Sequence, residues 1–375
     1  MSYPTSTSKP PEDKEPEIRT RVGYKPAECL KAFTAALSDS GVIATGRAIH
    51  FSADLVCSGG YDVWIRSLWE FVIEHIGIAS PRIFVYMKKR VGELDALVSR
   101  LDDEALHKDE EFQTRICEMI FVIRECPRRT RIPWPKVGDE THREGWLRAV
   151  KTDATETEVV RRVYKPSSDL SALYTVSCEL VKTASDGATE KTLFWIRWLL
   201  DEDSRLRKEF KSGLSTLDRG PATVRGKNRS DAGFYLMTLF AEIYKEYASK
   251  QMIRMNEEFQ VLLDLYKGSE PRLSCKGRRD ILALMAQILC EVPRWKVPAA
   301  PTLIQDPISL SRAITQSGSF FREVLAEPKI SLSGRGRSIF KIATTKGLRD
   351  KIKKATTMED QMEAYDAAMN AYLNK

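Results

Sequence analysis

Metal-ligand chemistry has little to work with in this sequence. Its four histidines, His50, His75, His107 and His142, form no HExxH and no other pair at ligand spacing. Seven cysteines, an odd number scattered from Cys29 to Cys290, include no CxxC, which excludes a zinc knuckle and argues against a disulfide framework. Most lie in apolar stretches such as SADLVCSGG, where a free thiol packs as a small hydrophobe. That usage points to a reducing, intracellular setting, cytoplasmic or nuclear. No apolar run approaches the ~18–20 residues of a membrane span. The opening MSYPTSTSKPPEDKEPE has no apolar core, so no secretory signal is expected.

Catalytic and cofactor signatures are missing too. The stretch GPATVRGKN at 220–228 has five residues between its glycines, where a phosphate-binding loop has four. It also places Asn228 where a magnesium-binding hydroxyl is needed. SGRGRS at 333–338 lacks the third glycine of a dinucleotide fingerprint. No GxSxG occurs. The acidic runs Asp102-Asp103-Glu104 and Asp201-Glu202-Asp203 each follow an apolar helical run and read as solvated helix ends. Glu74 and His75 are neighbours on a helical pattern, about 100° apart, and do not make an acid–base couple. No catalytic residue, metal or cofactor is therefore assigned.

What the sequence does have is helical periodicity. The chain has 375 residues, 42% hydrophobic and 30% charged, enough for two or three domains with a sizeable core. Cys29, Leu30, Phe33, Ala36 and Leu37 recur at i, i+3, i+4 spacing, as do Ile49, Ala53, Val56 and Cys57 up to Gly59-Gly60. Asp62 is placed to cap a helix carrying Ile65, Leu68, Trp69, Val72 and Ile76 and ended by Gly77. Ser80-Pro81 opens another, with proline at the first helical position, and a further helix spans Glu110 to Glu125. No alternating strand pattern occurs, so the expected fold is all-α. Residues 1–20 are rich in Pro, Ser, Thr, Lys and Glu and are expected to be disordered.

Five motifs recur in the same order. RVGYKP at 21–26 returns as RVYKP at 162–166, SADLV at 52–56 as SCELV at 177–181, and WIR at 64–66 as WIR at 195–197. IFVYM at 83–87 matches GFYLM at 233–237, and ECPR at 125–128 matches EVPR at 291–294. This order implies two tandem, duplicated multi-helix modules, 21–137 and 161–300. A connector, 138–160, joins them, and a basic segment with a terminal helix, 301–375, follows. Trp64 and Trp195 are read as core residues, with Arg66 and Arg197 snorkelling or paired.

Charge is concentrated in two places. The whole chain carries +7. Between Arg205 and Arg229, an insertion of the second module, Arg205, Arg207, Lys208, Lys211, Arg219, Arg225, Lys227 and Arg229 outnumber two acids. Between Arg335 and Lys354 the cations are Arg335, Arg337, Lys341, Lys346, Arg349, Lys351, Lys353 and Lys354, against Asp350 alone. Such density suits a phosphate backbone, where neutralisation releases counterions. Arg335-Gly336-Arg337 resembles the core of the AT-hook, with Ser338 in place of its proline. The last stretch, Thr357 to Lys375, carries −3 and reads as an amphipathic helix with a capping box at Thr357 and Asp360.

One stretch resembles a known family. Ala48 to Pro81 is similar to the helical collar of clamp-loader-type, recombination-associated ATPases. Ala48, Phe51, Ala53, Gly60, Asp62, Arg66, Leu68, Glu74, Ile76, Gly77, Ala79 and Pro81 follow the order of its pattern. The segment between Asp62 and Gly77 is two residues shorter here, and His75 and Ser80 stand where that family has acids. The likeness covers under a tenth of the chain. It implies a collar-like oligomerisation role and no catalytic one, because the ATPase modules that hold the catalytic residues have no counterpart. A fainter likeness to helical proteins of large DNA viruses rests on no single motif and adds the virion as a location. The sequence thus reads as a non-enzymatic helical scaffold. Its modules contact protein partners or other copies of the chain, and its basic segments contact DNA or RNA. A purely structural particle or core component is the alternative.

Overall fold

The computed structural model describes residues 19–41, 43–129, 132–143, 145–150, 154, 156–224, 229–250, 256–268, 273–291, 303–304 and 306–326. The expected disorder of residues 1–20 falls almost wholly outside them. The fold is all-α: among the described residues the sole β element is an isolated antiparallel bridge between Asp169 and Ser215. The first half runs α1 (Pro26–Ser38), α2 (Ala44–Cys57), α3 (Tyr61–Phe71), α4 (Arg82–Arg100), α5 (Asp103–Lys108) and α6 (Glu110–Glu125). After a connector with a single helical turn α7 (Trp146–Ala149) come α8 (Glu158–Val163), α9 (Ser171–Ser185), α10 (Thr189–Phe210), α11 (Ala232–Ser249), α12 (Asn256–Lys267) and α13 (Cys275–Glu291). Two short helices follow, α14 (Pro307–Thr315) and α15 (Ser317–Ala326).

Local chemistry sets several of these boundaries. Asp109 caps α6 by accepting from Phe112 N at 2.8 Å, and Asp231 caps α11 by accepting from Phe234 N at 3.0 Å. Asp62 does not cap α3 as expected. Gly60 takes the cap position, and Asp62 lies in the first turn, where a carboxylate still favours the helix dipole. Pro81 is itself the cap of α4, one residue before its expected place.

Corresponding helices of the two halves pack in the same pairs. In the first half α2 packs on α3 and α6, and α4 on α6; in the second α9 packs on α10 and α13, and α11 on α13. Helix α1 has no partner in this correspondence, because Pro26 opens it while Pro166 lies in a turn ahead of α9. Antiparallel bundles produce such pairings generally, so the duplication stays a reading of the sequence. The halves share one continuous core. Helix α12 packs on α4, and α13 packs on the chain that follows α3. The start of the expected C-terminal appendix belongs to that core as well. Helix α15 packs on α2 and α6 with Phe321 and Val324 fully buried, and Arg21 donates to Leu325 O at 3.0 Å.

The chain after α3 is the least regular part of the first half. A π-helical turn, Val72–Ile76, runs into a short 3-10 turn at Gly77–Ala79, with Gly77 N bonding back to Val72 O. Widening a helix in this way displaces carbonyls from their usual donors. Arg129 supplies replacements: its backbone N donates to His75 O at 2.9 Å and its Nη2 to Ile73 O at 3.2 Å. Nη1 of the same side chain donates to Gln287 Oε1 on α13 at 2.5 Å. Gly77 has φ +50°, and a Cβ there would lie 2.5 Å from Arg129 Nε. Only glycine fits.

Trp64 is fully buried and donates from Nε1 to Ser52 Oγ at 3.0 Å; Trp195 is 6% exposed. Both are core residues. Trp64→Ala and Trp195→Ala are each expected to cost about 3–5 kcal/mol in urea unfolding. Gly77→Ala adds strain and displaces Arg129, with an expected loss of about 2–3 kcal/mol or more. An unchanged midpoint for Gly77→Ala would remove the junction from its structural role.

Candidate polyanion interface

The basic insertion begins inside the last turns of α10, so that helix decides which of its charges reach solvent. Arg205 faces the connector. It holds Glu202 through Nε and Nη2 at 3.0 and 2.7 Å, and reaches Glu209 at 2.7 Å. Glu202 also binds His142 Nδ1 at 2.7 Å, and His142 stacks on Trp198 with ring centroids 5.4 Å apart. Trp198 Nε1 donates to Thr141 O, and Trp146 packs against both Trp195 and Trp198. A tryptophan–histidine cluster thus fastens the connector to α10.

Arg207 points the other way. It binds Asp203 at 2.7 Å and Ser230 O at 2.9 Å, while Asp203 also accepts from Leu214 N and Ala232 N. One carboxylate therefore holds the exit of α10 and the start of α11. Arg219 is bound further inside: it lies bidentate on Asp169 at 2.6 and 3.0 Å and donates to Ser215 Oγ and Val163 O. Its side chain is 7% exposed and that of Asp169 fully buried, with the guanidinium over the Tyr235 ring. Arg229 pairs with Asp218 at 3.3 Å, and its carbonyl accepts from the backbone N–H groups of Arg219 and Gly220. The arginines of the insertion build its fold.

The lysines do not. Lys208 and Lys211 are exposed and have no ion-pair partner among the described residues. Lys211 sits in the left-handed conformation, φ 59°, just past the end of α10. Between them Phe210 is 62% exposed. Two more exposed apolar side chains, Leu170 and Leu217, lie on the chain segments that meet here. Leu170 N bonds Leu214 O and Thr216 N bonds Ser168 O, closing the Asp169–Ser215 bridge. The last turn of α10 and the residue after it therefore expose an aromatic ring and two ammonium groups without ion-pair partners among the described residues.

Of the sequence-assigned cations, Arg225, Lys227, Arg335, Arg337, Lys341, Lys346, Arg349, Lys351, Lys353 and Lys354 lie outside the described residues. Two exposed cations near α10 escaped the sequence reading: Arg143, next to the His142 anchor, and Arg148 on α7. Their signal was present as the run THREGWLRAVK at 141–151, read only as linker. The pairing of the arginines was also legible. Glu202 with Arg205 and Asp203 with Arg207 stand at i,i+3 and i,i+4 spacing.

Enzyme-like features are few. A groove of about 570 Å³ between α1 and α3 is lined by Glu70, Glu74, His75 and Lys31, so the π-turn brings the Glu74–His75 neighbours to one wall. Lys276 pairs with Glu74 at 2.5 Å and Ser274 N bonds Glu70 at 2.8 Å, so these carboxylates tie α13 to α3. Burial pushes the Cys57 and Cys117 thiols up to about 12, which leaves them protonated and unsuited to nucleophilic work. Among the described residues no three His, Cys, Asp or Glu side chains gather as a metal site requires, and no helix is long and apolar enough to cross a membrane. No family model, curated protein or solved structure matches the chain.

Two tests separate the fold-building charges from the free ones. Arg219→Met should lower unfolding stability by about 3–5 kcal/mol, since it strands a buried aspartate. Lys208→Met and Lys211→Met should stay within about 0.5 kcal/mol; equal losses for all three would erase the distinction. Acid provides the second test. Burial pushes the Glu202 carboxyl up, but hydrogen bonds and charge from Arg205 and His142 outweigh it and hold the group below its ordinary value of 4.5. The folded state thus binds this proton less readily than the unfolded one, so the contribution is full above pH 4.5 and falls as the pH drops below it. Protection of the amides along 139–149, taken relative to the intrinsic exchange rate at each pH, should fall in that range, and Glu202→Gln should abolish the pH step.

Proposed function

We propose that this chain is a helical scaffold that associates with nucleic acid through the end of α10 and the basic segment 335–354. The carrying observation is that Lys208, Phe210 and Lys211 are all exposed at the end of a 22-residue helix. Single-stranded nucleic acid is held by this combination: ammonium groups follow the backbone and an aromatic face stacks a base without reading sequence. The tight pairing of Arg205, Arg207, Arg219 and Arg229 makes the support rigid.

Assembly is the other half of this reading. Helix α14 packs on α6, and at its outer side Ile308 is 67% exposed. An exposed apolar side chain at the outer edge of the body is available to a protein contact. The resemblance of 48–81 to an oligomerising collar supports self-association in the same direction.

Anisotropy titrations of labelled single-stranded and duplex DNA and RNA, at several salt concentrations, test the proposal. Binding should weaken with salt, and Lys208→Glu with Lys211→Glu should reduce the log–log salt slope by about 1–2. Phe210→Ala should weaken single strands more than duplexes. Reversal at Lys351, Lys353 and Lys354 should weaken both. Salt-independent binding, or titrations that none of these changes moves, would refute the nucleic-acid assignment and leave the purely structural alternative.

A further inference from the structure

Where the halves meet, α3, α4 and α12 enclose a groove of about 570 Å³. Along it α4 presents Lys88, Val91, Gly92, Asp95 and Val98, a helical spacing that puts them on one face over about 15 Å. Ile65 and Trp69 of α3 and Leu265 of α12 add apolar wall. Gly92 is out of place inside a helix, where glycine is among the poorest formers. Its φ is not positive, and a Cβ there would meet no atom within 4 Å, so neither strain nor close packing calls for glycine. Its effect is to leave the middle of the groove open. Trp69 is 2% exposed, and its Nε1 has no hydrogen-bond partner among the described residues, so packing alone holds the indole in the wall.

The charge of the groove is uneven. Lys88 neutralises Asp264 at 2.6 Å. Two turns further along α4, Asp95 is exposed and pairs with no cation among the described residues; it accepts from Tyr61 Oη at 2.8 Å. Burial, together with Asp95 and Asp62, pushes the Tyr61 hydroxyl up and keeps it a donor. We propose that the groove binds a small organic cation, a primary ammonium with an unbranched apolar body, its charge at Asp95 and its body along Ile65, Trp69, Val91 and Leu265. The carboxylate offers a charge-assisted hydrogen bond, and the Tyr61 ring a face that attracts cations. An anion would meet Asp62 and Asp95 with like charge. The volume suits a small ligand, and a cleft between packed halves is where such sites form. The equally large groove between α1 and α3 does not compete, since Ser274 N already engages Glu70 and Lys276 engages Glu74. Among the described residues none of α10 lines the site, so nothing here rests on the nucleic-acid reading.

The full chain, isotope-labelled, is titrated at low salt with n-octylammonium chloride and, separately, with n-octanol and sodium octanoate. Calorimetry gives the affinities, and nitrogen–proton correlation spectra follow the Trp69 indole signal, assigned by its loss in Trp69→Phe. Expected is saturable octylammonium binding that moves this signal, with octanol about threefold weaker or more and octanoate weaker still. Asp95→Asn should bring octylammonium down to the level of octanol and leave octanol unchanged. Gly92→Leu, whose side chain enters open space, should abolish binding of both while the melting temperature does not fall. Equal affinity for the three ligands, binding that leaves the Trp69 signal unmoved, or no binding at millimolar concentration overturns the site. So does an octylammonium titration that neither Asp95→Asn nor Gly92→Leu changes.

Discussion

The junction between the halves depends on Arg129. One residue supplies hydrogen bonds to Ile73 O and His75 O, displaced by the π-turn, and to Gln287 on α13. Burial pushes its guanidinium down to about 10, with the charges of Asp280 and Glu291 opposing the shift, so the ion is held at a real desolvation penalty. That penalty is offset because the alternative is worse: without Arg129 the π-turn would bury carbonyls with no donor. The arrangement works only with glycine at 77, since the arginine passes where a side chain would stand. Around this point Lys276 with Glu74 and Lys88 with Asp264 bind the halves at more exposed positions, where ion pairs stabilise little. The buried contact sets the geometry, and the surface pairs follow it.

The same division between buried and exposed charge runs through the basic insertion. Arginine suits the fold-building role because its planar fork can satisfy a carboxylate and a carbonyl together, as Arg219 does with Asp169 and Val163 O. Lysine, a compact and well-hydrated ion on a long stem, is left at the surface. Counting both as equal positive charge obscures this, and the insertion's balance of charge overstates what reaches a ligand. Arg205 and Arg207 are held by Glu202 and Asp203, just upstream of the stretch in which the charges were counted, and Arg205 by Glu209 within it. The acid for Arg219 is Asp169, fifty residues away in sequence.

That comparison shows what was legible in the sequence. Helix class was, and so were the bounds of α6, because apolar periodicity and caps are local: α6 occupies Glu110–Glu125 as its pattern indicates. The π-turn was not legible, because its register is fixed by an arginine more than fifty residues away. Nor was the return of α15 onto α2 and α6, since its amphipathic pattern requires an apolar partner without naming one. The collar-like residues of 48–81 are mostly packing positions, among them Ala48, Ala53, Leu68 and Ile76. Their likeness therefore reflects how a short helical hairpin packs as much as what it does. At the candidate site, the end of α10 was found from charge density alone. The exposed Phe210 was not, because a phenylalanine at the close of an amphipathic helix reads as core until the chain leaves it uncovered.

Phe210 is uncovered for a reason that lies in the chain's path. After Lys211 turns into the left-handed conformation, Asp203 captures Leu214 N, and the backbone is drawn back towards Asp169. The turn that satisfies the carboxylates below therefore carries the chain away from the ring above. Covering Phe210 from within the described body would mean releasing Asp203, which also holds Ala232 N and Arg207. Three partners on one buried carboxylate make that release far more costly than leaving one aromatic side chain in water. The exposed ring is thus a consequence of the most constrained part of the second half, and a ligand that covers it gains apolar burial without disturbing the fold beneath.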